Sequence, residues 1–184
     1  LPVTPTGKDV TSIGEKGQPQ SETPVFTAGT TKVNGKTITV PIDETVAPTL
    51  EGADKDGKVV VPGEGTYTID ATGKVTFTPE KDFVGTATPV EVVRKDKNGK
   101  TIQASYTPTV RPDTKFVVVG KDGKETELIP SKDGKNPSET IPGYKLVKTE
   151  TDEKGNTKHI YEKVTTSFKD KEGNEIPGNP SEDG

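Results

Sequence analysis

The sequence contains no cysteine, methionine or tryptophan, and its single histidine is His159. Without cysteine the chain can form neither a disulfide framework nor a thiolate metal site. Ser–His, Cys–His and multi-histidine metal arrangements also lack their material, because each needs residues of these types. We therefore predict no catalytic residues, no metal-binding residues and no cofactor, and we predict that the protein is not an enzyme. His159 falls on a predicted strand, where we expect an exposed or edge position.

Apolar residues are also scarce, at 26% of the 184 residues, and aromatic residues make up only 5%. Globular domains contain about 45–50% apolar residues when glycine is counted, so this composition argues against one large core. Small domains bury a smaller fraction of their surface and therefore manage with fewer apolar residues, which favours roughly two or three thin modules.

Neither the charges nor the apolar pattern indicates a nucleic acid or a membrane as a partner. The 25 basic residues are scattered among 29 acidic ones, with a formal net charge of −4, whereas nucleic-acid binding needs clustered basic residues. There is no signal-peptide pattern and no apolar run of about 20 residues that could span a bilayer. We predict no nucleic-acid partner and no membrane insertion in this fragment, and we expect secretion and anchoring signals to lie outside it.

Turn residues and alternating apolar positions recur along residues 23–111. Asn34-Gly35 lies between two β-prone runs and is the strongest hairpin signal, and further turns are predicted at Asp56-Gly57 and Ala71-Thr72-Gly73. Short strands at this spacing predict an all-β, antiparallel β-sandwich-like module, while residues 1–22 are either a linker or its first strand. The inward positions of the strands predict a core of Tyr67, Ile69, Val75, Phe77, Val92, Ile102 and Tyr106.

The last part of the chain repeats itself. Phe116–Glu125 aligns with Thr166–Glu175, at an offset of about 50 residues that is typical of module arrays, and Asn136–Glu139 resembles Asn179–Glu182. We predict a small β module at residues 112–164 and the truncated start of a next copy at residues 165–184. This start lacks most of its strands, so we expect it to be poorly ordered unless it pairs with the preceding module. We expect the modules to fold separately, in an elongated arrangement.

Two segments, Asp54–Gly57 and Asp96–Gly99, look like fragments of a calcium loop. The flanking acidic residues that an EF-hand needs are absent at both. We interpret the segments as turns, in which Asp and Asn side chains bond to their own backbone and Gly takes a positive φ. An intramolecular Lys–Asn or Lys–Asp isopeptide bond is a further possibility, for which the sequence nominates no buried trio.

Three separated segments, Gly63–Pro79, Asp82–Val90 and Ala104–Val110, resemble the CshA-type surface repeat and occur in the right order. The resemblance implies one of the tandem repeats of a long fibrillar adhesin of streptococci or related bacteria. Ile141–Val147 and Gly155–Tyr161 are similar to the short mucin-binding-like repeats of Gram-positive surface proteins. That similarity implies a β-grasp-like fold for the second module.

These resemblances imply an extracellular protein of the bacterial surface, anchored to the cell wall through sequence outside this fragment. We expect a structural stalk segment that projects a distal adhesive domain, with neighbouring repeats of the same chain as its partners. The alternative is a module that binds a host glycoprotein or matrix protein such as mucin or fibronectin, for which the sequence identifies no ligand-binding residues. Aromatic residues are few and most of them alternate inward, which favours the stalk.

The predicted hairpin tips, which combine Lys, an acid and Gly, are expected to close turns and to bind nothing. The tips are Lys95–Lys100, Gly120–Lys124, Asp152–Asn156 and Asp170–Asn174. Replacing one lysine in each with serine should leave the fold and any ligand affinity nearly unchanged, because turn chemistry alone accounts for the Gly and Asn positions. The four lysines are Lys97, Lys121, Lys154 and Lys171. Circular dichroism and adhesion of cells displaying the variant measure this, and lost adhesion with intact folding and display would contradict it.

Overall fold

The computed structural model describes residues 4–165 and the backbone of residues 168–169 and 175–176. Its elements in these residues are all strands, numbered β1 to β19, and it has no helix there. The chain divides into two compact units, Leu1–Arg111 and Pro112–Gly184. Each is described below by itself.

The first unit contains thirteen strands, most of them three to six residues long. The strands are β1 (Thr6–Lys8), β2 (Val10–Gly14), β3 (Gln20–Glu22), β4 (Val25–Thr27), β5 (Gly29–Val33), β6 (Lys36–Val40), β7 (Thr49–Leu50), β8 (Val59–Val61), β9 (Gly65–Ile69), β10 (Val75–Pro79), β11 (Gly85–Thr86), β12 (Val90–Lys95) and β13 (Thr101–Val110).

Two sheets of this unit enclose one core. One sheet has the strand order β3-β10-β9-β8, and the other has the order β11-β13-β12-β7, with β2 added to β13. Tyr67 and Phe77 from the first sheet and Val92 and Tyr106 from the second belong to the same buried cluster. The strands β1 and β4 form a separate two-stranded pair, and so do β5 and β6. The arrangement is a β-sandwich whose layers share a thin apolar interior.

Five of the seven predicted core residues lie in that buried cluster: Tyr67, Val75, Phe77, Val92 and Tyr106. The prediction was wrong in degree for Ile69, whereas Ile102 is buried as predicted. Ile69 is only partly buried and packs against the cluster from its rim, because it lies at the end of β9. Ile102 is buried but lies outside the cluster, because it is near the start of the long strand β13.

The antiparallel prediction missed one pairing of the first unit. β2 runs parallel to β13, with Val10 opposite Tyr106 and Gly14 opposite Val110. The stretch 1–22, for which a linker and a first strand were both considered, therefore supplies a sheet strand in β2 and an edge strand in β3, which pairs with β10. Parallel pairs join distant parts of a chain and leave no turn signal between them.

The second unit contains one four-stranded sheet in the order β15-β14-β17-β16. Two antiparallel hairpins form its outer parts, and the central strands β14 and β17 run parallel to each other. Phe116, Ile141 and Tyr161 form its small core. Its strands are β14 (Asp113–Val119), β15 (Glu125–Asp133), β16 (Tyr144–Thr151) and β17 (Thr157–Lys163).

The second copy of the repeat preserves the backbone pairing of the first. The strands β18 (Phe168–Lys169) and β19 (Glu175–Ile176) pair with Phe168 opposite Ile176. Val118 lies opposite Thr126 in the first copy, so both partners are shifted by the same 50 positions. The predicted poor order of residues 165–184 falls mostly on positions outside the described residues. The all-β prediction for the chain is confirmed.

Replacing Phe77 with alanine should destabilise the first unit by about 3–5 kcal/mol, because it removes a fully buried ring and leaves a cavity. The Phe77 ring is 4.8 Å from the Tyr67 ring and 6.2 Å from the Phe83 ring, measured between centroids. Gly65 leaves it room on the neighbouring strand, since a Cβ there would lie 2.7 Å from the Phe77 ring. Urea unfolding measures the loss, and Val60→Ala is the control because Val60 is 60% exposed. A loss under about 1 kcal/mol would contradict the assigned core.

Candidate functional site

The hairpin tips are built by one recurring turn. In each, the aspartate Oδ1 accepts the backbone N–H groups of the residues two and four positions further on, and the glycine three positions further on has a positive φ. The aspartate N–H also donates to the carbonyl four positions further on, which closes the hairpin. The aspartates of these turns are Asp54, Asp70, Asp96 and Asp152. The turn interpretation of Asp54–Gly57 and Asp96–Gly99 is therefore confirmed.

The tip at Gly120–Lys124 varies this turn. Gly120 takes the first position, its N–H donates to the Lys124 carbonyl, and Asp122 accepts the Lys124 N–H instead. The fourth predicted tip, Asp170–Asn174, lies outside the described residues. Backbone hydrogen bonds to one aspartate oxygen thus account for the shared composition of the described tips.

The charged side chains of residues 4–165 do not assemble a site for a metal ion. No three histidine, aspartate or glutamate side chains in this range lie close enough together to hold one. Lys97, in the tip that follows Asp96, lies 3.7 Å from Asp43, and an exposed pair of this kind contributes about 0–1 kcal/mol. The described residues also include no helix long and apolar enough to cross a membrane.

Turn hydrogen bonds lower the pKa values of two carboxyl groups, those of Asp70 and Asp43. The Thr72 hydroxyl and the turn N–H groups hold the pKa of Asp70 below its ordinary value of 3.8. The hydroxyl and N–H of Thr45 likewise hold the pKa of Asp43 below its ordinary value. Both shifts result from hydrogen bonds to the ionised form. They therefore stabilise local turns and do not indicate an acid or base prepared for catalysis.

His159 is buried, so the prediction of an exposed or edge position was wrong. It lies on the central strand β17, 4% exposed, with its ring centroid 5.3 Å from that of Phe116. The backbone carbonyl of Asn136 lies 2.9 Å from Nε2. A carbonyl only accepts, so Nε2 carries the proton, and Nδ1 accepts from the Thr149 hydroxyl at 2.8 Å. Both ring nitrogens have partners inside the module. The segment before Ile141 places the Asn136 carbonyl beside the His159 ring on β17.

The aromatic residues pack inside the modules. Every aromatic ring within residues 4–165 is buried or partly buried. The Tyr67 hydroxyl donates to the Thr88 carbonyl at 2.5 Å. Burial raises the pKa of the Tyr67 and Tyr106 hydroxyls above the ordinary value of 10.0. These rings are core elements, and the described residues present no exposed aromatic patch.

A buried polar network was missed by the sequence analysis. The Ser12 hydroxyl lies 2.5 Å from the Tyr106 hydroxyl and donates to Gln20 Oε1 at 2.7 Å. The Gln20 amide in turn donates to the Thr109 carbonyl at 2.9 Å. Ser12 and Tyr106 are 94 positions apart, so no local pattern could have revealed this network. It ties β2 and the segment that follows it to β13.

The hairpin of β5 and β6, here called the ribbon (Gly29–Val40), carries exposed apolar residues on one face. Asn34 and Gly35 both have positive φ, as the predicted two-residue turn requires. Val33 is 49% exposed and Ile38 is 44% exposed, and they lie on the same face because Thr31 pairs with Ile38 and Val33 with Lys36.

A shallow pocket of about 190 Å³ lies at the base of the ribbon, lined by Pro5, Thr31, Val40, Asp96 and Lys100 among others. The ribbon and this pocket together form a surface that could receive a ligand. The hairpin was predicted, but its solvent-exposed apolar strip was not.

Comparison with known proteins identifies the first unit. Residues 2–110 match the family model described as the surface adhesin CshA repetitive domain. The chain belongs to this family. The match ends where β13 of this CshA repeat ends. Because the family is one of surface adhesins, the chain is a repeat segment of an extracellular cell-surface protein.

The second unit matches a different family model. Residues 113–163 match the SSSPR-51 domain, and these bounds coincide with the first residue of β14 and the last residue of β17. The second unit is therefore similar to a family other than that of the CshA repeat. The similarity of that module to mucin-binding-like repeats stays a prediction.

Two further proteins are similar to the chain. The Muramidase-released protein of Streptococcus suis is 34% identical over 201 aligned residues, which include 97% of this chain. The chain spans 14% of the length of that relative. The NMR structure of repeat domain 13 of the fibrillar adhesin CshA from Streptococcus gordonii is 56% identical, covers 38% of this chain and 86% of that chain, and has a TM-score of 0.21.

The turn at Asp70 should make the stability of the CshA repeat depend on pH. The folded-state pKa of Asp70 is lowered, so its stabilising contribution is present above the unfolded-state value and is lost as the pH falls through the folded-state value. Asp70→Ala should therefore lower the melting temperature at neutral pH, and the difference from the unaltered protein should narrow below pH 3.8.

The control for this measurement is Asp56→Ala, which removes an exposed carboxylate from the neighbouring tip. The Asp56 carboxylate accepts none of the turn hydrogen bonds described above, so its loss should change the melting temperature little at any pH. Calorimetry across the pH range measures both variants. An Asp70→Ala difference that stays constant from neutral to acidic pH would contradict the assignment.

Proposed function

We propose that this chain is a spacer segment in the stalk of a cell-surface fibrillar adhesin, where it holds a distal adhesive domain away from the cell wall. The observation that carries the proposal is the repetition of one backbone pairing, Val118 opposite Thr126 and Phe168 opposite Ile176, at a constant offset. A module that recurs with its register intact is the building unit of an array. Its partners are then the neighbouring repeats of the same chain.

The buried positions of the aromatic rings support the spacer role. Hot spots of protein interfaces are enriched in exposed Trp, Tyr and Arg that become buried on binding. Here Tyr67, Tyr106 and Tyr161 are at most 3% exposed, and the chain contains no tryptophan. These tyrosine rings therefore stabilise the cores of the modules and are not exposed for a partner to contact.

The surface charges support the same role. Lysines and acids alternate at the tips, and the formal net charge is −4. Mixed charges of small net sign keep neighbouring proteins soluble without a strong field that would attract one class of partner. A stalk crowded among identical stalks needs such a surface. Anchoring to the wall through sequence outside these residues completes the proposal.

The second candidate function is binding of a host glycoprotein or matrix protein, such as mucin or fibronectin. The ribbon favours it, because Val33 and Ile38 expose an apolar strip on a hairpin that joins no other described sheet. Isolated exposed apolar residues are ordinary, whereas a contiguous strip beside a pocket can mark an interaction surface. The similarity of the second module to mucin-binding-like repeats adds to this candidate.

Surface plasmon resonance with the full chain, against a panel of immobilised matrix proteins and mucins, separates the two functions. The spacer proposal expects no binding with a Kd below about 1 μM, because the described aromatic rings are buried or partly buried inside the modules. Binding tighter than this would overturn a purely spacing role.

If tight binding occurs, the ribbon can be tested directly. Val33→Ser combined with Ile38→Ser should abolish it if the ribbon is the site, because both side chains are exposed and contribute little to folding. Val60→Ser is the matched control, since Val60 is an even more exposed valine, on the edge strand β8. Loss of binding in the control, or retention in the double variant, would exclude the ribbon.

A further inference from the structure

The two units share a feature of topology although they match different families. In each, a strand near the start of the unit lies beside the last strand of the same sheet and runs parallel to it. In the first unit these strands are β2 and β13, and in the second they are β14 and β17. The point at which the chain enters the pair and the point at which it leaves therefore lie at opposite ends of a hydrogen-bonded ladder.

The second unit shows the arrangement most simply. Five consecutive residues pair between β14 and β17, from Thr114 opposite Thr157 to Val118 opposite Tyr161. This pair is the centre of the sheet, with a hairpin on each side. Across it, the rings of Phe116 and His159 lie directly opposite each other with centroids 5.3 Å apart. The Asn156 side chain accepts the Asp113 N–H at 3.1 Å where the ladder begins.

The first unit contains a parallel ladder of the same length, formed by β2 and β13. Five residues of β2 pair with Tyr106–Val110 of β13, and the Arg111 N–H extends the ladder to the Gly14 carbonyl at 2.9 Å. Buried side chains reinforce it through the Ser12 and Tyr106 hydroxyls. Near the start of the ladder, the Asp9 carboxylate accepts the Ser105 N–H at 2.8 Å.

The direction of a pull decides how these ladders fail. A force applied at the two ends of such a unit acts along the strands, in opposite directions on the two partners. It strains all rungs of the ladder together, so several hydrogen bonds must break in one step. A force applied across the open end of an antiparallel hairpin strains one rung at a time. Forced unfolding is governed by the unfolding barrier, and the first geometry raises that barrier.

We infer that the parallel terminal strands of each unit form a mechanical clamp that resists tension along the chain. The clamp is a force-bearing function in addition to spacing. Its use in a stalk rests on the proposed function, whereas the mechanical resistance is a property of each folded unit by itself.

The absence of cysteine allows a direct test, because introduced cysteines are then the only attachment points for pulling handles. In the full chain, Lys115→Cys with Glu162→Cys loads β14 against β17 in shear. Lys145→Cys with Glu162→Cys loads the β16–β17 hairpin from its open end, since Lys145 lies opposite Glu162. Both variants lose the exposed Lys145–Glu162 ion pair, so they differ chiefly in the direction of force. Equal melting temperatures would establish that both are folded.

Single-molecule force spectroscopy at one loading rate should give a rupture force at least about twofold higher in the shear geometry. A second measurement holds the chain, without internal substitutions, by cysteines added outside Leu1 and Gly184. Extended residues contribute about 3.4 Å each, so the four-stranded sheet of the second unit, Asp113–Lys163, has a contour length of about 17 nm and the first unit one of about 35 nm, from which the folded span is subtracted. The unfolding force of the four-stranded sheet should also exceed the force of the hairpin geometry.

Equal forces in the two geometries, or a weaker shear geometry, would overturn the clamp. If Lys115→Cys prevents folding, the unfolding event of the four-stranded sheet in the chain without internal substitutions decides the question alone. The matrix-protein binding panel can give either result without changing this force ratio. Failure of the clamp and failure of the spacer proposal are therefore distinguishable.

Discussion

The structure depends on the parallel pairing of distant chain segments, β2 with β13 in one sheet of the first unit and β14 with β17 in the four-stranded sheet of the second. The apolar cores are small, and that of the second unit consists of Phe116, Ile141 and Tyr161 with a few partly buried neighbours. A core of this size cannot alone hold four strands in place. The β14–β17 ladder joins the two hairpins of this unit, and without it each hairpin would be a two-stranded piece that is marginally stable in water. The same reasoning applies to β2, whose parallel ladder holds the start of the first unit against β13.

Hydrogen bonds of buried polar side chains help to define each fold, because apolar residues are few. His159, Thr114 and Gln20 are each less than 10% exposed, and each has hydrogen-bond partners from outside its own strand. Such groups are costly to bury alone and favourable when fully bonded. They also specify one arrangement, because His159 finds its carbonyl partner only when the segment containing Asn136 crosses the sheet in one position. A chain with 26% apolar residues can in this way keep a defined fold in each module.

The sequence predicted what is local and missed what is distant. Asn34-Gly35 placed β5 and β6 correctly, and alternation identified Tyr67, Val75 and Phe77 as core residues, because turn chemistry and strand period act over a few residues. The pairing of Val10 with Tyr106 and the network of Ser12 with Tyr106 depend on segments almost a hundred positions apart. The single His159 was judged by its polarity, whereas its surroundings decide its burial. The exposed strip of the ribbon was missed for a related reason, since exposure depends on which sheet a hairpin fails to join.

In a module with a small core and parallel end strands, the free energy of unfolding and the resistance to unfolding under tension depend on different interactions. The free energy of unfolding follows the area and the bonds lost between the folded and unfolded states, which are modest in a module of about 50 residues. The rate of unfolding under tension follows the number of interactions that must break together before the barrier is crossed. Parallel end strands increase that number without enlarging the core. The CshA repeat and the second unit differ in strand number and core residues, and each contains this parallel pairing. Under the proposed clamp, tension would follow the same kind of route through both units.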